Sequence, residues 1–348
     1  MQKIFDINRL VRDNVRQLKP YSSARDEYVS DGTQMIFLDA NENPFNTGLN
    51  RYPDPQQRSL KELLAARKGV QSAQILLGNG SDEVLDLIYR AFCEPGTDNV
   101  ITLPPTYGMY KVLADVNAVE NREVVLMGNF DPNVDGILAA ADDYSKLLFL
   151  CSPNNPTGNS FSREAVASLL KNFPGLVVID EAYIDFSSEK SWLHALSDWP
   201  NLIITQTLSK AYGLAAIRLG ICYASPAIIA VLNRIKPPYN VNELTQIKAF
   251  EGLSDTVGVQ QAVKRILRER ELLQRELAAI SCVKEVFPSD ANFILARMDD
   301  AGRRYNELLA KGLVVRNRSG QPLCANTLRF TVGTPEENKV LIEALKAL

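Results

Sequence analysis

The chain has 348 residues, 46% of them hydrophobic and 23% charged, with a formal net charge of −3. Acidic and basic residues are interspersed, which excludes the basic footprint of a nucleic-acid binder or of a protein held on an anionic membrane. No apolar run reaches the roughly 20 residues a membrane span requires, and the N-terminus lacks the apolar core of a secretory signal. A cytoplasmic globular protein is expected.

The chain order predicts three parts. Residues 1–30 read as an N-terminal arm, expected to pack on a smaller domain. Residues 31–240 read as a large α/β domain. "LNRYPDPQQRSLKELLA" places Tyr52 before a proline and just ahead of a helix, where a packed loop tyrosine is the plain reading. Strands are then predicted at "QILLGN", "NVITL", "VVLM", "KLLFLCS", "LVVIDEA", "LIITQTLS" and "RLGICYA". Helices are predicted between them at "SDEVLDLIYRAFC", "TYGMYKVLADVN", "SREAVASLLKNF" and "SPAIIAVLNRIK". Near-continuous apolar strands alternating with helices predict βα units around a mostly parallel sheet buried on both faces. Residues 241–348 change texture. A long helix over residues 260–280 precedes the strands "VKEVF", "ANFILARM", "GLVVRNR" and "TLRFTVG" and a final helix, an α+β pattern.

Five cysteines occur without a C-x-x-C pair, and there is one histidine, His194 in "SWLHAL". A Ser-His-Asp triad and a histidine-rich metal site are therefore excluded, and no metal is expected. The cysteines read as small buried hydrophobes and His194 as a helix-packing residue. The hard chemistry of an enzyme built this way is expected to come from a cofactor.

The strand ends carry the candidate chemistry, because open α/β sheets place ligands there. In "GNGSDE", two glycines open a helix at Ser81 and Asp82; the free N–H groups suit a phosphate, although ordinary capping accounts for the motif equally well. Tyr107 in "PPTYGMY" could stack on a planar ring or simply pack. Asn155 in "SPNNPTG" precedes a proline and is held out of helical geometry. Asp180 ends the apolar run "LVVID", where a carboxylate is costly unless a cation meets it, and Tyr183 follows. In "TQTLSKAYGLAAIRLG", Lys210 sits among Thr207, Ser209 and Arg218. Pyridoxal phosphate gives every member a role. The lysine forms a Schiff base, and the acid keeps the pyridine nitrogen protonated. Hydroxyls, guanidinium and helix N-terminus hold the phosphate, and an amide and a phenol bond the ring's 3-oxygen.

"SPNNPTG", "VVIDEAY" and "TLSKAYGLAAIRLG", in that order, resemble the fold-type-I pyridoxal-phosphate aminotransferases. "LDANENPF", "NRYPDP", "GNGSDE", "PPTYGMY", "ANFILAR" and "LRFTVGT" narrow the resemblance to the branch acting on histidinol phosphate. It runs from about Asn14 to the C-terminus. The resemblance implies that Lys210, Asp180, Tyr183 and Asn155 are catalytic. It implies cofactor contacts from Ser81, Asp82, Tyr107, Thr207, Ser209 and Arg218, and from Tyr52 reaching the partner's cofactor in a homodimer. It implies that Arg329, Arg316 and Tyr21 bind substrate, with Arg318 on the same strand face as a rival to Arg316. The implied reaction passes an amino group from glutamate, released as 2-oxoglutarate, reversibly between imidazole-acetol phosphate and L-histidinol phosphate. Aromatic-amino-acid transamination and threonine-phosphate decarboxylation are the alternatives on this fold. A cofactor-sensing DNA-binding regulator is a further one, disfavoured because only about 40 residues precede "LDANENPF".

Overall fold

The computed structural model describes residues 6–20 and 35–348. In chain order the first half comprises α1 (Asp13–Gln17), α2 (Arg58–Lys68), β1 (Ile75–Asn79), α3 (Ser81–Phe92), β2 (Asn99–Thr102), α4 (Met109–Val116), β3 (Glu120–Glu123), α5 (Val134–Ala140), β4 (Ser145–Cys151) and α6 (Arg163–Asn172). There follow β5 (Leu176–Asp180), β6 (Leu202–Thr207), β7 (Leu219–Ala224), α7 (Pro226–Ile235), α8 (Glu243–Ser254) and α9 (Thr256–Ala278). The chain closes with β8 (Val283–Val286), β9 (Phe293–Met298), α10 (Ala301–Ala310), β10 (Arg316–Asn317), β11 (Thr327–Thr331) and α11 (Pro335–Lys346).

The first seven strands form one sheet in the order β1-β7-β6-β5-β4-β2-β3. Only β7 runs antiparallel to its neighbours β1 and β6. Every residue of β4, β5, β6 and β7 except Lys146 is buried, because helices cover both faces. The central α3 explains itself from its sequence: Val84, Leu87, Ile88, Ala91 and Phe92 recur at helical spacing and are all buried against the sheet. The last four strands form an antiparallel sheet, β10-β11-β9-β8. Its inner face, with Ile294, Ala296, Leu328 and Phe330, packs under α9, α10 and α11.

Several expectations move. "VVLM" is not the edge strand. The polar Glu120–Glu123 pairs with β2 instead, and Val124 and Leu126 continue along it only through single backbone bonds. An edge strand exposed on one side needs no apolar run, and Leu126 instead turns into the core. Val241 and α8, through Ala249 and Leu253, pack into the same core cluster as the seven-stranded sheet, and Asp255 then caps α9.

The described part of the arm does not pack on the smaller domain. Val11 and Val15 join the core beside α3 and α7. Arg12 donates to the Arg90 carbonyl at 3.0 Å and pairs with Glu94, and Arg234 reaches the Arg16 carbonyl. The apolar residues nearest to 6–20 are those of the large domain, and they set the docking. His194 is exposed on a short 3-10 turn rather than packed. All five cysteines are buried free thiols. Among the described residues no helix is long and apolar enough to cross a membrane.

Candidate active site

The parallel strands β4, β5 and β6 end side by side, with Cys151, Asp180 and Thr205 in register. This rim carries the site. Asp180 is 3% exposed and has no ion pair with any described residue. Its Oδ2 accepts from the Tyr110 hydroxyl at 2.8 Å and its Oδ1 from the Ala182 N–H at 3.2 Å. Burial pushes the Asp180 carboxyl above its ordinary range, and the Tyr110 bond pulls it back. A buried acid arranged this way is short of one cation.

The phosphate-sized corner forms where β1 turns into α3 beside β7. Gly80, at φ +83°, precedes the helix, and a Cβ there would sit 2.6 Å from Arg218 Nη2. Gly220 is equally constrained, since its Cβ would lie 2.3 Å from the Ser81 nitrogen. These two close approaches bring Arg218, itself in the left-handed region at φ 53°, against the open N-terminus of α3. Asp82 bridges the corner. Its carboxylate lies 3.6 Å from Arg218 and accepts from the Tyr107 hydroxyl at 3.1 Å. The Thr207 hydroxyl donates to the Leu219 carbonyl and accepts from the Ser209 N–H, so it shapes the turn and keeps one lone pair free.

Lys210 follows that turn with its side chain open to solvent and its Nζ 5.7 Å from the centre of the Tyr183 ring. Partial burial, then Arg329, hold its amine below the ordinary lysine pKa, and Asp180 opposes them. A lysine so placed is more readily neutral and therefore nucleophilic. Tyr183 packs edge-on against Phe293, with ring centroids 5.1 Å apart. Together with Phe186, Ala211 and Ala291 it forms a small apolar cluster joining the two domains beneath the site. Arg270 reinforces this junction by donating to the carbonyls of Phe186 and Ala291.

The antiparallel sheet contributes the arginines. Arg329 on β11 donates to the Asn155 side-chain oxygen and lies 5.0 Å above the Phe293 ring. Its buried Nε has no partner. Arg316 stands directly opposite it in register, and Arg318 continues the ladder through its N–H to Thr327. Arg316 is exposed; Arg318 is half-buried, with an unpartnered Nε. Burial, then Arg316, lower the Arg318 pKa, and burial, then Arg318, lower that of Arg329. None of the three forms an ion pair among the described residues, so the face presents uncompensated positive charge suited to an anion.

The structure thus brings Ser81, Asp82, Tyr107, Asn155, Asp180, Tyr183, Thr207, Ser209, Lys210, Arg218 and the arginines to one rim between the domains. Tyr21 lies outside the described residues. Tyr52 stands apart from this cluster: its ring stacks on Tyr239 at 4.5 Å, and its N–H donates to Glu42. It lines an open groove with Glu42, Leu49 and Leu244 that contains none of the strand-end residues. Two residues the sequence reading passed over complete the rim. Asn154 ties the "SPNNPTG" turn to Pro105 and Thr106, and Tyr110 holds Asp180. Tyr110 lies in the first turn of α4, three residues after Tyr107, and no local pattern in the sequence marks it.

These features define a protein of the aminotransferase class. The chain belongs to the aminotransferase class I and II family, whose model matches residues 36–345. It is 64% identical over 345 residues to the histidinol-phosphate aminotransferase of Flavobacterium johnsoniae, covering 99% of each chain. The solved histidinol-phosphate aminotransferase of Clostridium acetobutylicum superposes with a TM-score of 0.80 at 26% identity, covering 86% of this chain and 91% of that one. The enzyme of the same description from Sinorhizobium meliloti, in complex with pyridoxal-5'-phosphate, gives 0.79 at 26% identity, covering 85% and 82%.

Proposed function

We propose that this protein is a pyridoxal-phosphate-dependent histidinol-phosphate aminotransferase. It would transfer an amino group between L-histidinol phosphate and 2-oxoglutarate, giving imidazole-acetol phosphate and L-glutamate, in histidine biosynthesis. The observation that carries the reading is one rim that brings the buried Asp180, without an ion pair among the described residues, together with Lys210 and the Arg218 corner at the start of α3. The residues fit the cofactor. Gly80 and Gly220 let Arg218 and β7 close on the start of α3, where a Cβ on either would collide with them, and Arg218 with the α3 N-terminus offers donors to a phosphate. When bound, pyridoxal phosphate supplies the aldehyde carbon and a ring that accepts the electrons of the substrate's Cα–H bond. The chain's own residues do the rest. Asp180 would keep the ring nitrogen protonated, and Lys210 in its neutral form would take and return the Cα proton, while Tyr107, Asn155 and Tyr183 would hold and orient the ring.

One guanidinium must receive glutamate's carboxylate and the phosphate substrate in turn, and a planar donor fork suits both. We assign that role to Arg329. Arg329→Ala is therefore expected to slow both half-reactions by about 100-fold, the loss of a charge-assisted bidentate contact. Arg316→Ala should slow the histidinol-phosphate half-reaction much more than the glutamate one. Single-turnover absorbance measurements with glutamate, histidinol phosphate, threonine phosphate and phenylalanine check this. Equal losses at Arg316 reject its role, and carbon dioxide release from threonine phosphate would replace the transamination reading with a decarboxylase.

The same reading includes a cytoplasmic homodimer. The support for the dimer is that exposed Tyr52 lines an open groove with the exposed Leu49 and Leu244. A two-fold interface here is reciprocal, and Tyr52 would give its hydroxyl to the partner's cofactor phosphate. Refolding Tyr52→Ala chains together with Lys210→Ala chains tests it. A mixed dimer with Tyr52 acting in trans regains one complete site and exceeds both parents in activity. The absence of any gain, or a monomer in sedimentation, rejects the role.

A further inference from the structure

The unassigned feature of the rim is the hydroxyl beneath Asp180. Tyr110 is fully buried in a stack of three rings, Tyr89, Phe149 and Tyr110, with centroids 5.1 and 4.9 Å apart. The Tyr89 hydroxyl donates to the Tyr110 carbonyl at 2.7 Å. Tyr110 is thus held at both its ring and its backbone, and its one hydroxyl proton is spent on Asp180 Oδ2. Asp180 has no cation among the described residues, so its charge rests on neutral donors. The Tyr110 hydroxyl, at 2.8 Å, lies closer than the Ala182 N–H, at 3.2 Å, and the Thr205 hydroxyl also helps hold the carboxyl pKa down.

We propose that Tyr110 is a positioning residue for the reaction: its hydroxyl fixes the orientation and the ionised state of Asp180, and through it the protonation of the cofactor's ring nitrogen. The proposal rests on the reading of Asp180 given above. A phenol donating to a carboxylate stabilises the charged form; without it, the buried acid takes up its own proton more readily and no longer holds one on the ring. The other groups facing this pair are Asp82 from α3, Tyr107 just before α4, Cys151 on β4, Thr205 on β6, and Tyr183 and Lys210 around the rim. Ring nitrogen protonation is therefore read directly rather than inferred from a rate.

The test uses holoenzyme reconstituted with pyridoxal phosphate labelled with nitrogen-15 in the ring, followed by NMR across pH. Tyr110→Phe keeps the ring stack and removes only the donor. It is expected to lower the pH at which the ring nitrogen loses its proton by about one unit or more, roughly the worth of one charge-assisted hydrogen bond. Its kcat should fall about tenfold while KM changes little. Tyr89→Phe removes an equally buried hydroxyl of the same stack that does not touch Asp180; it should leave the nitrogen titration in place even where it lowers the melting temperature. Fluorotyrosine at position 110, a stronger donor, should move the titration the other way, and it stands in if Tyr110→Phe does not fold. An unmoved titration in Tyr110→Phe beside a moved one in Asp180→Ala overturns the role of Tyr110, as does an equal shift in Tyr89→Phe. A titration unmoved in both Tyr110→Phe and Asp180→Ala overturns the reading of Asp180, and this proposal with it.

Discussion

Lys210→Ala is expected to abolish turnover, by about 10⁴-fold or more, the upper range for losing a positioned acid–base group, while the protein stays folded and still binds pyridoxal phosphate. The side chain makes no ion pair among the described residues and touches the fold only as a charge 5.7 Å from the Tyr183 ring. Its removal should cost about 1 kcal/mol or less, as for a substitution outside the core. It also relieves the repulsion from Arg329 and Arg218 that helps hold its pKa down. The noncovalent contacts survive, because Arg218, the start of α3 and Asp180 are all untouched. Single-turnover absorbance with glutamate, cofactor titration and a melting curve check the three parts separately. Near wild-type transamination would remove Lys210 from the site altogether.

Asp180→Ala is expected to separate activity from stability even more sharply. In the cofactor-free protein the carboxyl is buried without a cation, and its pKa is raised above the ordinary 3.8. A folded-state pKa raised in this way means that ionising the group destabilises the fold. Stability contributed by the neutral form is present below the ordinary pKa and is lost as pH rises through the folded one. Deleting the acid at neutral pH should therefore leave the melting temperature of the cofactor-free protein unchanged or slightly higher, within about 1 kcal/mol. Turnover should fall by about 10³-fold, comparable to removing a preorganised electrostatic partner from a dry site. The cofactor should also bind more weakly, since its ring nitrogen loses the counter-charge. A melting temperature that falls in step with activity would make Asp180 a structural acid.

Most of the large domain could be read from the chain because its strands are apolar on both faces and its helices keep one face apolar. Each element then announces itself locally, as β5 does with "LVVID" and α3 with its buried stripe. Elements whose burial is set by a distant neighbour did not. α8 spreads its apolar residues around the helix and is claimed by α2 and the large core only in three dimensions. β10 shrinks to two residues, Arg316 and Asn317, paired with Arg329 and Leu328, beyond which Arg318 adds a single backbone bond to Thr327. Residues 6–20 of the arm follow the same rule, with Val11 and Val15 joining the core beside α3 and α7.

The site divides along the same line. Residue types and their order along the chain pointed to a lysine, an acid, an amide and a phenol at strand ends serving one heterocyclic cofactor, because a single ligand gives each of these motifs a purpose. Only the tertiary structure decided how they meet. Gly220 had to be small so that β7 could approach the start of α3, and that contact puts Arg218 over Gly80. Arg329, 174 residues beyond Asn155, reaches it only because the two domains close on the cluster of Tyr183, Phe186 and Phe293. Hydrogen-bond partners across such distances depend on the packing of everything between them. For that reason the donor that holds Asp180, Tyr110, is absent from any local pattern and present in the fold.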